Sequence, residues 1–457
     1  MMIAAKKSLA TGRSGASRAS RASRALCARR ASGCLLGLGA LLLGTVIHAK
    51  AGATDAGLPG EVLVQLASTA TLGPLLAKYP LTLVSQFGAR PIYRLKVVGL
   101  ADANTTIAAL LLEPGVLNAE PNFIHQSPEA RKVNAWAIGT PAAYTAQWAP
   151  EALRLPEAQR LTTGAGVRVA VLDTGVDRLH PVLAGRLLPG FDFVDFDNDP
   201  TEVGSRADIS FGHGTHVAGL VALVAPSAQI MPLRVLDAQG VGNAWVLAEA
   251  MLYAVDPDAN PATNDGAQVI NLSLGSLSRT HLLDTIAKLA TCAIPAAVVL
   301  PTDPLADPGY NGDRQRCNAF SGAVVVAAAG NDASDSEREY PAAEGAYGLL
   351  AVTASDAALR IASFSNFGSW VHIAAPGEGI TSAVPGGGFG TWSGSSMAAP
   401  LAAGTAALVR ALNPAMTPRD VTRRLTRISA NLCGTRLRQI DAAAAVLDLL
   451  PADKPCP

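Results

Sequence analysis

Three polar residues, far apart in the sequence, lie where catalytic groups could be held inside a folded domain. Asp173 directly follows the apolar run Val167–Leu172. His213 stands in a glycine-rich segment, GHGTHVAG, and Ser396 lies among small residues in WSGSSMAAP. A buried carboxylate is costly without a partner, so Asp173 needs a hydrogen-bond donor such as a histidine.

These three residue types together suit nucleophilic catalysis. A serine hydroxyl becomes a good nucleophile when a base removes its proton, and histidine can do this near neutral pH. A buried carboxylate fixes the imidazole tautomer and stabilises the imidazolium that forms. We therefore expect Asp173, His213 and Ser396 to form a catalytic triad, with a helix N-terminus near the developing oxyanion.

The elements that must position these residues follow from the hydrophobic pattern after about residue 160. Apolar runs rich in β-branched residues alternate with helical segments, which is typical of strands buried on both faces with helical crossovers. The fold class is therefore an α/β domain of three layers around a mostly parallel sheet, in which reactive groups collect at the carboxyl ends of strands. The predicted strands are Val167–Leu172, Gln229–Leu236, Val269–Leu274, Ala323–Ala329, Leu349–Thr353 and Val371–Ala375; the predicted helices are Thr215–Leu223, Ala244–Ala254, Leu282–Leu289, Met397–Leu412 and Arg419–Ile428.

The three segments, in the order Asp, His, Ser, resemble the subtilisin-like serine peptidases over roughly residues 145–450. His213 rather than His216 matches the family's base, and Ser396 matches its nucleophile, while Ser395 stands where the family usually has Thr. An aspartic protease would need a second Asp motif. An α/β-hydrolase would show G-x-S-x-G and the order Ser, Asp, His. A catalytically silent binding or chaperone-like module on the same scaffold is the alternative of a different class.

The resemblance implies further site residues. Asn331, which ends a buried strand, matches the residue whose side-chain amide stabilises the oxyanion; a turn-capping Asn is the alternative. The family holds its protein or peptide substrate as an added strand between two segments, here Gly240, Val241, Gly242 and Ser273, Leu274, Gly275, either of which could instead be an ordinary glycine turn. Ala329 and Gly330 belong to the same substrate-binding set.

The resemblance also places Asp332 and Glu339 at the pocket for the side chain that precedes the cut. Acids in a desolvated pocket would favour Arg or Lys there through charge-assisted hydrogen bonds. The segment Glu129–Val133 (EARKV) would then be a self-processing site. Alternatively, Glu339 is a solvated loop residue.

Residues 58–127 contain apolar strand and helix patterns that predict a small α+β module. They resemble the family's inhibitory propeptide, and the end of the module, Glu120–Phe123 (EPNF), is typical of it. A permanent accessory domain is the alternative. The polar stretch Gln126–Lys132 is expected to be an exposed, easily cut linker to the peptidase domain, residues 133–452.

Residues 1–51 predict a secretory signal peptide, removed during export to the medium or periplasm. This stretch holds nine Lys or Arg and no acid. Its short apolar run, residues 35–47, follows most of the basic residues and precedes the small-residue pattern Ala49-Lys50-Ala51. An uncleaved membrane anchor is the alternative. We expect no membrane association after signal cleavage.

Four cysteines remain in the exported chain, and they allow three pairings. Our expectation joins sequence neighbours, Cys292 with Cys317 and Cys433 with Cys456; free buried thiols are the alternative. The segment Ala293–Asn318 exceeds the usual family length.

Charge limits the partners. Residues after 51 hold 27 basic and 36 acidic side chains, a net charge of −9, which should repel nucleic acid. The expected chemistry requires no cofactor and no catalytic metal. Structural calcium stays open: Asp195, Asp197 and Asp199 could bind it or form a solvated acidic loop. The expected partners are the substrate and the chain's own propeptide, with a monomeric enzyme.

Overall fold

A computed structural model describes residues 56–293, 311–451, 453 and 456 of the chain. The predicted signal peptide, Cys27, Cys34 and most of the segment Ala293–Asn318 lie outside the described residues. In the described part, no helix combines the length and the apolar composition needed to cross a membrane.

The described residues form seventeen strands and thirteen α-helices. The strands are β1 (Gly57–Leu66), β2 (Leu81–Gln86), β3 (Ile92–Val97), β4 (Val116–Gln126), β5 (Ala137–Ile138), β6 (Arg168–Asp173), β7 (Phe191–Asp192), β8 (Gln229–Arg234), β9 (Val241–Asn243), β10 (Val269–Leu272), β11 (Val324–Ala328), β12 (Leu349–Ser355), β13 (Ile373–Pro376), β14 (Ile380–Val384), β15 (Gly388–Trp392), β16 (Ala430–Asn431) and β17 (Arg438–Gln439). The helices are α1 (Leu72–Lys78), α2 (Ala103–Leu110), α3 (Pro128–Arg131), α4 (Pro141–Ala146), α5 (Trp148–Ala152), α6 (Leu155–Gln159), α7 (His213–Val224), α8 (Ala244–Val255), α9 (His281–Thr291), α10 (Asn311–Ala319), α11 (Ser395–Leu412), α12 (Pro418–Arg427) and α13 (Ala442–Leu447).

The central sheet confirms the predicted fold class. Its nine strands have the order β16-β17-β13-β12-β11-β10-β6-β8-β7, and every neighbouring pair except β16-β17 is parallel. Alternate residues of β6 face opposite layers: Val169 and Val171 pack in one core cluster with α7 and α11, whereas Ala170 and Leu172 pack in another with α8 and α9. Burial on both faces explains why these strands are continuously apolar.

The N-terminal module is an antiparallel sheet of order β2-β3-β1-β4, with α1 and α2 packed on it. Strand β2 was not predicted. Of its six residues only Leu81 is buried, so the sequence there does not mark out a buried face from which a strand could be predicted. Strand β4 extends this sheet to the α/β domain by pairing antiparallel with β9.

Two polar residues of β4 join the N-terminal module to the helices behind it. The Glu120 carboxylate accepts hydrogen bonds from the backbone N–H groups of His281 (2.8 Å) and Leu282 (2.9 Å) at the start of α9. The side-chain oxygen of Asn122 accepts one from the Trp245 N–H (3.1 Å) in α8. Both contacts satisfy helix donors that lack partners within their own helix.

Two disulfides join the expected neighbours, Cys292 with Cys317 and Cys433 with Cys456. The first connects the end of α9 to α10, and the second connects the loop after β16 to the C-terminal residues.

The helix that carries Ser396 packs so closely on the helix that carries His213 that one glycine has no room for a side chain. A Cβ on Gly404 would lie 2.6 Å from the Val224 Cβ, inside contact distance. We expect Gly404→Ala to lower the free energy of unfolding by about 1–3 kcal/mol.

Thermal and urea unfolding in the Ser396→Ala background, in which the expected nucleophile is absent, would measure this loss. Because Val224→Ala opens the space, the double variant should lose less than the sum of the single variants. Strict additivity would contradict the packing described here.

Candidate active site

Asp173 and His213 meet at the carboxyl end of the central sheet. Asp173 is the last residue of β6 and His213 the first residue of α7, and both are buried. The Nδ1 atom of His213 lies 2.7 Å from Asp173 Oδ1, which also accepts the N–H of Thr174 at 2.8 Å. The carboxylate therefore orients the imidazole and directs its Nε2 atom away from β6.

A further carboxylate, which the sequence analysis did not identify, supports this junction. Glu202 accepts hydrogen bonds from the hydroxyls of Thr174 (2.5 Å) and Thr215 (2.8 Å). These threonines flank Asp173 and His213 respectively, so Glu202 links the end of β6 to the start of α7. Burial raises the pKa of Glu202 to about 7, although the hydrogen bonds from both threonines oppose that shift.

Ser396 lies in the first turn of α11, after Gly394. Its backbone carbonyl accepts the Ser273 hydroxyl at 2.9 Å, and its own hydroxyl lies 3.2 Å from the Ser273 carbonyl oxygen. Ser273 and the nucleophile candidate are thus held together. The Trp392 ring lies edge-on to the His213 imidazole, with 5.2 Å between centroids, and packs beside the site.

Asn331 follows β11 and directs its amide into the same space. Its Oδ1 atom accepts the Ser395 N–H at 2.9 Å, which fixes the orientation of the amide and leaves Nδ2 free to donate to another group. The Ser395 hydroxyl in turn accepts the Gly330 N–H at 3.0 Å. The Ser at the position where the family usually has Thr therefore ties the Asn331 loop to α11.

The prediction that Gln126–Lys132 is an exposed linker was wrong. Ser127, Pro128 and Glu129 are buried, and Pro128–Arg131 forms the short helix α3 inside the site. Ser127 caps this helix by accepting the Ala130 N–H on its hydroxyl. Serine followed by proline is a helix-start signal, so the sequence could have predicted this helical turn. It could not have predicted that the turn is buried in the site.

The Glu129 carboxylate contacts three of the four side chains at which catalysis is expected, all except Asp173. Its Oε2 atom accepts the Ser396 hydroxyl at 2.6 Å and lies 3.1 Å from His213 Nε2. Its Oε1 atom accepts the Asn331 amide at 2.7 Å. Three residues distant in sequence thus converge on one carboxylate, which fills the space that a reacting carbonyl group would need.

These contacts shift the ionisation of the site. Burial would lower the pKa of His213, but the charge and hydrogen bond of Asp173, together with those of Glu129, raise it to about 10. Burial would raise the pKa of Glu129, but His213, Ser396 and Asn331 hold it below its ordinary value. His213 is therefore an imidazolium between two carboxylates, and it cannot accept a proton from Ser396 in this state.

The neighbouring His216 has a different environment. Its Nε2 atom faces the backbone carbonyl oxygens of Ile380 (3.2 Å) and Gly390 (3.1 Å). Burial, with the nearby charge of His213, lowers its pKa to about 3. His216 is thus a neutral packing residue, whereas His213 is the histidine that faces Ser396.

The two segments expected to hold a substrate instead hold the chain's own residues. Gln126 exchanges backbone hydrogen bonds with Gly275 (2.9 and 3.0 Å), and the Ser127 N–H donates to the Gly240 carbonyl at 3.1 Å. Val241 and Gly242 pair with β4, while Leu274 is buried beside them.

The two acids expected to set specificity each form an ion pair with a basic side chain of the segment that enters the site. The buried Glu339 forms an ion pair with Arg131, and Asp332 forms one with Lys132 at 2.6 Å. A Cβ added to Gly275 or to Gly330 would lie within 3 Å of a Glu339 carboxylate oxygen, so both glycines form walls against which this acid lies. Ala329, also buried, precedes Gly330 and accepts the Asn366 amide on its carbonyl.

Two acids of the loop that could bind calcium form hydrogen bonds with arginine side chains instead. Asp195 accepts from Arg234 at 2.5 Å, and Asp199 accepts from Arg178 at 3.1 Å. Within the described ranges, one group of three acids lies close enough to share a cation, namely Asp256, Asp258 and Asp265.

Sequence comparison relates both parts of the chain to known proteins. A family model described as the subtilase family matches residues 164–442, and one described as the fervidolysin N-terminal prodomain matches residues 45–122. The chain is 34% identical over 318 residues to a thermophilic serine proteinase of Bacillus sp. (strain AK1). The alignment covers 67% of this chain and 66% of that relative, which is just under two thirds of its length. It is 35% identical over 266 residues to thermitase of Thermoactinomyces vulgaris, covering 56% of this chain and 78% of thermitase.

Structure comparison agrees on the fold. Fervidolysin from Fervidobacterium pennivorans, described as a keratinolytic enzyme related to subtilisin, aligns with a TM-score of 0.66 and 22% identity over 87% of this chain and 62% of that one. A protease from Pseudoalteromonas arctica aligns with a TM-score of 0.54 and 29% identity over 68% of this chain and 99% of that one.

The raised pKa of His213 is open to direct measurement. In the intact Ser396→Ala chain, NMR titration of the imidazole should show His213 protonated until about pH 10. Because this pKa is raised, the stabilisation from the protonated imidazole is complete below its ordinary pKa of about 6.5 and is lost as the pH rises through about 10.

The matched control is the same chain carrying Glu129→Ala, in which the pKa of His213 should fall because one of its two carboxylate partners is gone. An unchanged titration in the two chains would contradict the charge arrangement described above.

Proposed function

Because the chain belongs to the subtilase family, we propose that it is a serine endopeptidase that is made as an inhibited precursor. The observation that carries this proposal is the convergence of His213, Ser396 and Asn331 on one carboxylate, with Asp173 at 2.7 Å behind the imidazole. The convergence supplies a base, a nucleophile and an oxyanion donor around a single small volume.

The mechanism follows from these positions once Glu129 has left. His213, held in one tautomer by Asp173, takes the proton of Ser396 as the hydroxyl oxygen attacks the peptide carbonyl carbon. The Asn331 amide and the Ser396 backbone N–H donate to the resulting oxyanion. His213 then gives its proton to the leaving amine, and water hydrolyses the acyl-enzyme by the same route.

The proposed substrate is an extended peptide that adds a strand beside β9 and Ser273–Gly275. Support comes from Gln126 and Ser127, which already pair there in the manner expected of such a strand. For the residue before the cut we propose a preference for Arg or Lys. The observation in favour is the Arg131 guanidinium, which pairs with the buried Glu339 between Gly275 and Gly330.

We further propose export and maturation. The N-terminal residues up to about 51 would be removed as a signal peptide. The module of residues 58–127 would be removed together with Glu129 by self-processing within Glu129–Val133, after Arg131 or Lys132. N-terminal sequencing of material from culture fluid tests this: a terminus within residues 126–142 supports removal, and a terminus before residue 58 favours a permanent accessory domain.

Catalysis by Ser396 is tested with a serine-directed fluorophosphonate probe. The matured enzyme should be labelled, and Ser396→Ala should abolish both labelling and peptide hydrolysis, because the hydroxyl is the only atom removed. Ser205→Ala, at an exposed serine outside the site, is the matched control and should keep the label. Absence of labelling in the matured wild-type enzyme would favour a silent binding module.

Specificity is tested by Glu339→Gln. This change should lower kcat/KM for substrates with Arg before the cut by about 10²-fold, because the charge-assisted hydrogen bond to the guanidinium is lost. Asp335→Asn, at an exposed position nearby, should change little. A wild-type preference for Leu or Phe before the cut would contradict the proposal.

A further inference from the structure

The segment that enters the site does so in a form that cannot be cut. Proteases act on extended chains, and residues up to Ser127 follow that path. The chain then turns into α3, where the Ser127 carbonyl accepts the Ala130 N–H (3.1 Å) and the Glu129 carbonyl accepts those of Lys132 (3.1 Å) and Asn134 (3.0 Å). These carbonyl groups are consumed within the turn rather than presented to Ser396.

The group that reaches the catalytic centre is therefore a side-chain carboxylate. Glu129 takes the Asn331 amide on one oxygen and the Ser396 hydroxyl and His213 imidazole on the other. A hydrolysed acyl group also ends in a carboxylate with one oxygen toward the oxyanion donor. Glu129 thus occupies the site as a product-like group, stabilised by an imidazolium that the same carboxylate helps to keep protonated.

Two neighbouring contacts hold this carboxylate in place. The same helical turn places Arg131 on the buried Glu339, and Lys132 lies on Asp332 at 2.6 Å. Gly394 leaves the space that is needed, since a Cβ there would lie 1.7 Å from Glu129 Oε1. The single turn α3 therefore places the Glu129 carboxylate at the catalytic centre and the Arg131 guanidinium on Glu339.

We propose that this active site has a second class of ligand besides its substrates: a helical turn with the pattern Glu-x-Arg, bound through its carboxylate and guanidinium as a reversible inhibitor. In the intact chain that ligand is Glu129–Arg131. Cleavage of the segment consequently requires α3 to unwind and Glu129 to leave the catalytic centre first. This inference rests on the proposed endopeptidase activity, and it assigns to one side chain a blocking role that pairing of β4 with β9 alone would not supply.

The test compares intact precursors that carry Glu129, Glu129→Ala or, as a matched exposed control, Glu151→Gln. Each is incubated with a fluorescent fluorophosphonate and resolved on a gel, which separates labelled precursor from labelled mature enzyme. We expect Glu129→Ala to label its precursor band, or to convert that band to mature enzyme, at least tenfold faster than wild type. Glu151→Gln should match wild type.

Maturation supplies the check on folding. Because residue 129 leaves with the removed segment, mature enzymes from the three chains should have the same kcat and KM. A mature wild-type enzyme that is never labelled would defeat the proposed activity itself. Labelled mature enzyme, with Glu129→Ala and wild-type precursors reacting at equal rates, would overturn the inhibitory role of Glu129 and leave the activity standing.

Discussion

One buried charge arrangement, the His213 imidazolium between the carboxylates of Asp173 and Glu129, constrains the rest of this molecule. Charges so far from water are tolerated only when they are paired and hydrogen-bonded. The end of β6 and the start of α7 must therefore stay in register, which Glu202 secures through its two threonine partners. The same imidazole serves both states: in the precursor its Nε2 holds a proton that pairs with Glu129, and it must release that proton to solvent before it can accept the proton of Ser396.

The sequence was sufficient for the fold class and for the elements that carry the site. Strands buried on both faces give unbroken apolar runs. The predicted bounds of β6, β10 and β11 therefore lie within two residues of the observed bounds. Asp173, His213 and Ser396 stand at the ends or beginnings of such elements, where the topology alone brings them to one side of the sheet. For these residues, local pattern and global fold agree.

What could not be predicted depends on contacts between distant segments. Glu129 lies in a polar stretch whose composition is that of a surface loop, and only the groove that receives it makes its burial favourable. Glu202 has the same character, since its partners Thr174 and Thr215 lie on two different elements. Strand β2 was missed because pairing with β3, rather than burial of its side chains, holds it in the sheet.

The pairing of β4 with β9 has a consequence for how this protein could change over time. The same backbone N–H and C=O groups would serve an incoming substrate and the chain's own inhibitory strand, and main-chain bonding does not distinguish one sequence from another. Any substitution that strengthens the backbone pairing of β9 therefore strengthens the binding of the substrate and the binding of β4 together. Selection for a faster enzyme whose precursor is not more strongly inhibited must therefore change the side-chain pockets and not the backbone pairing at β9.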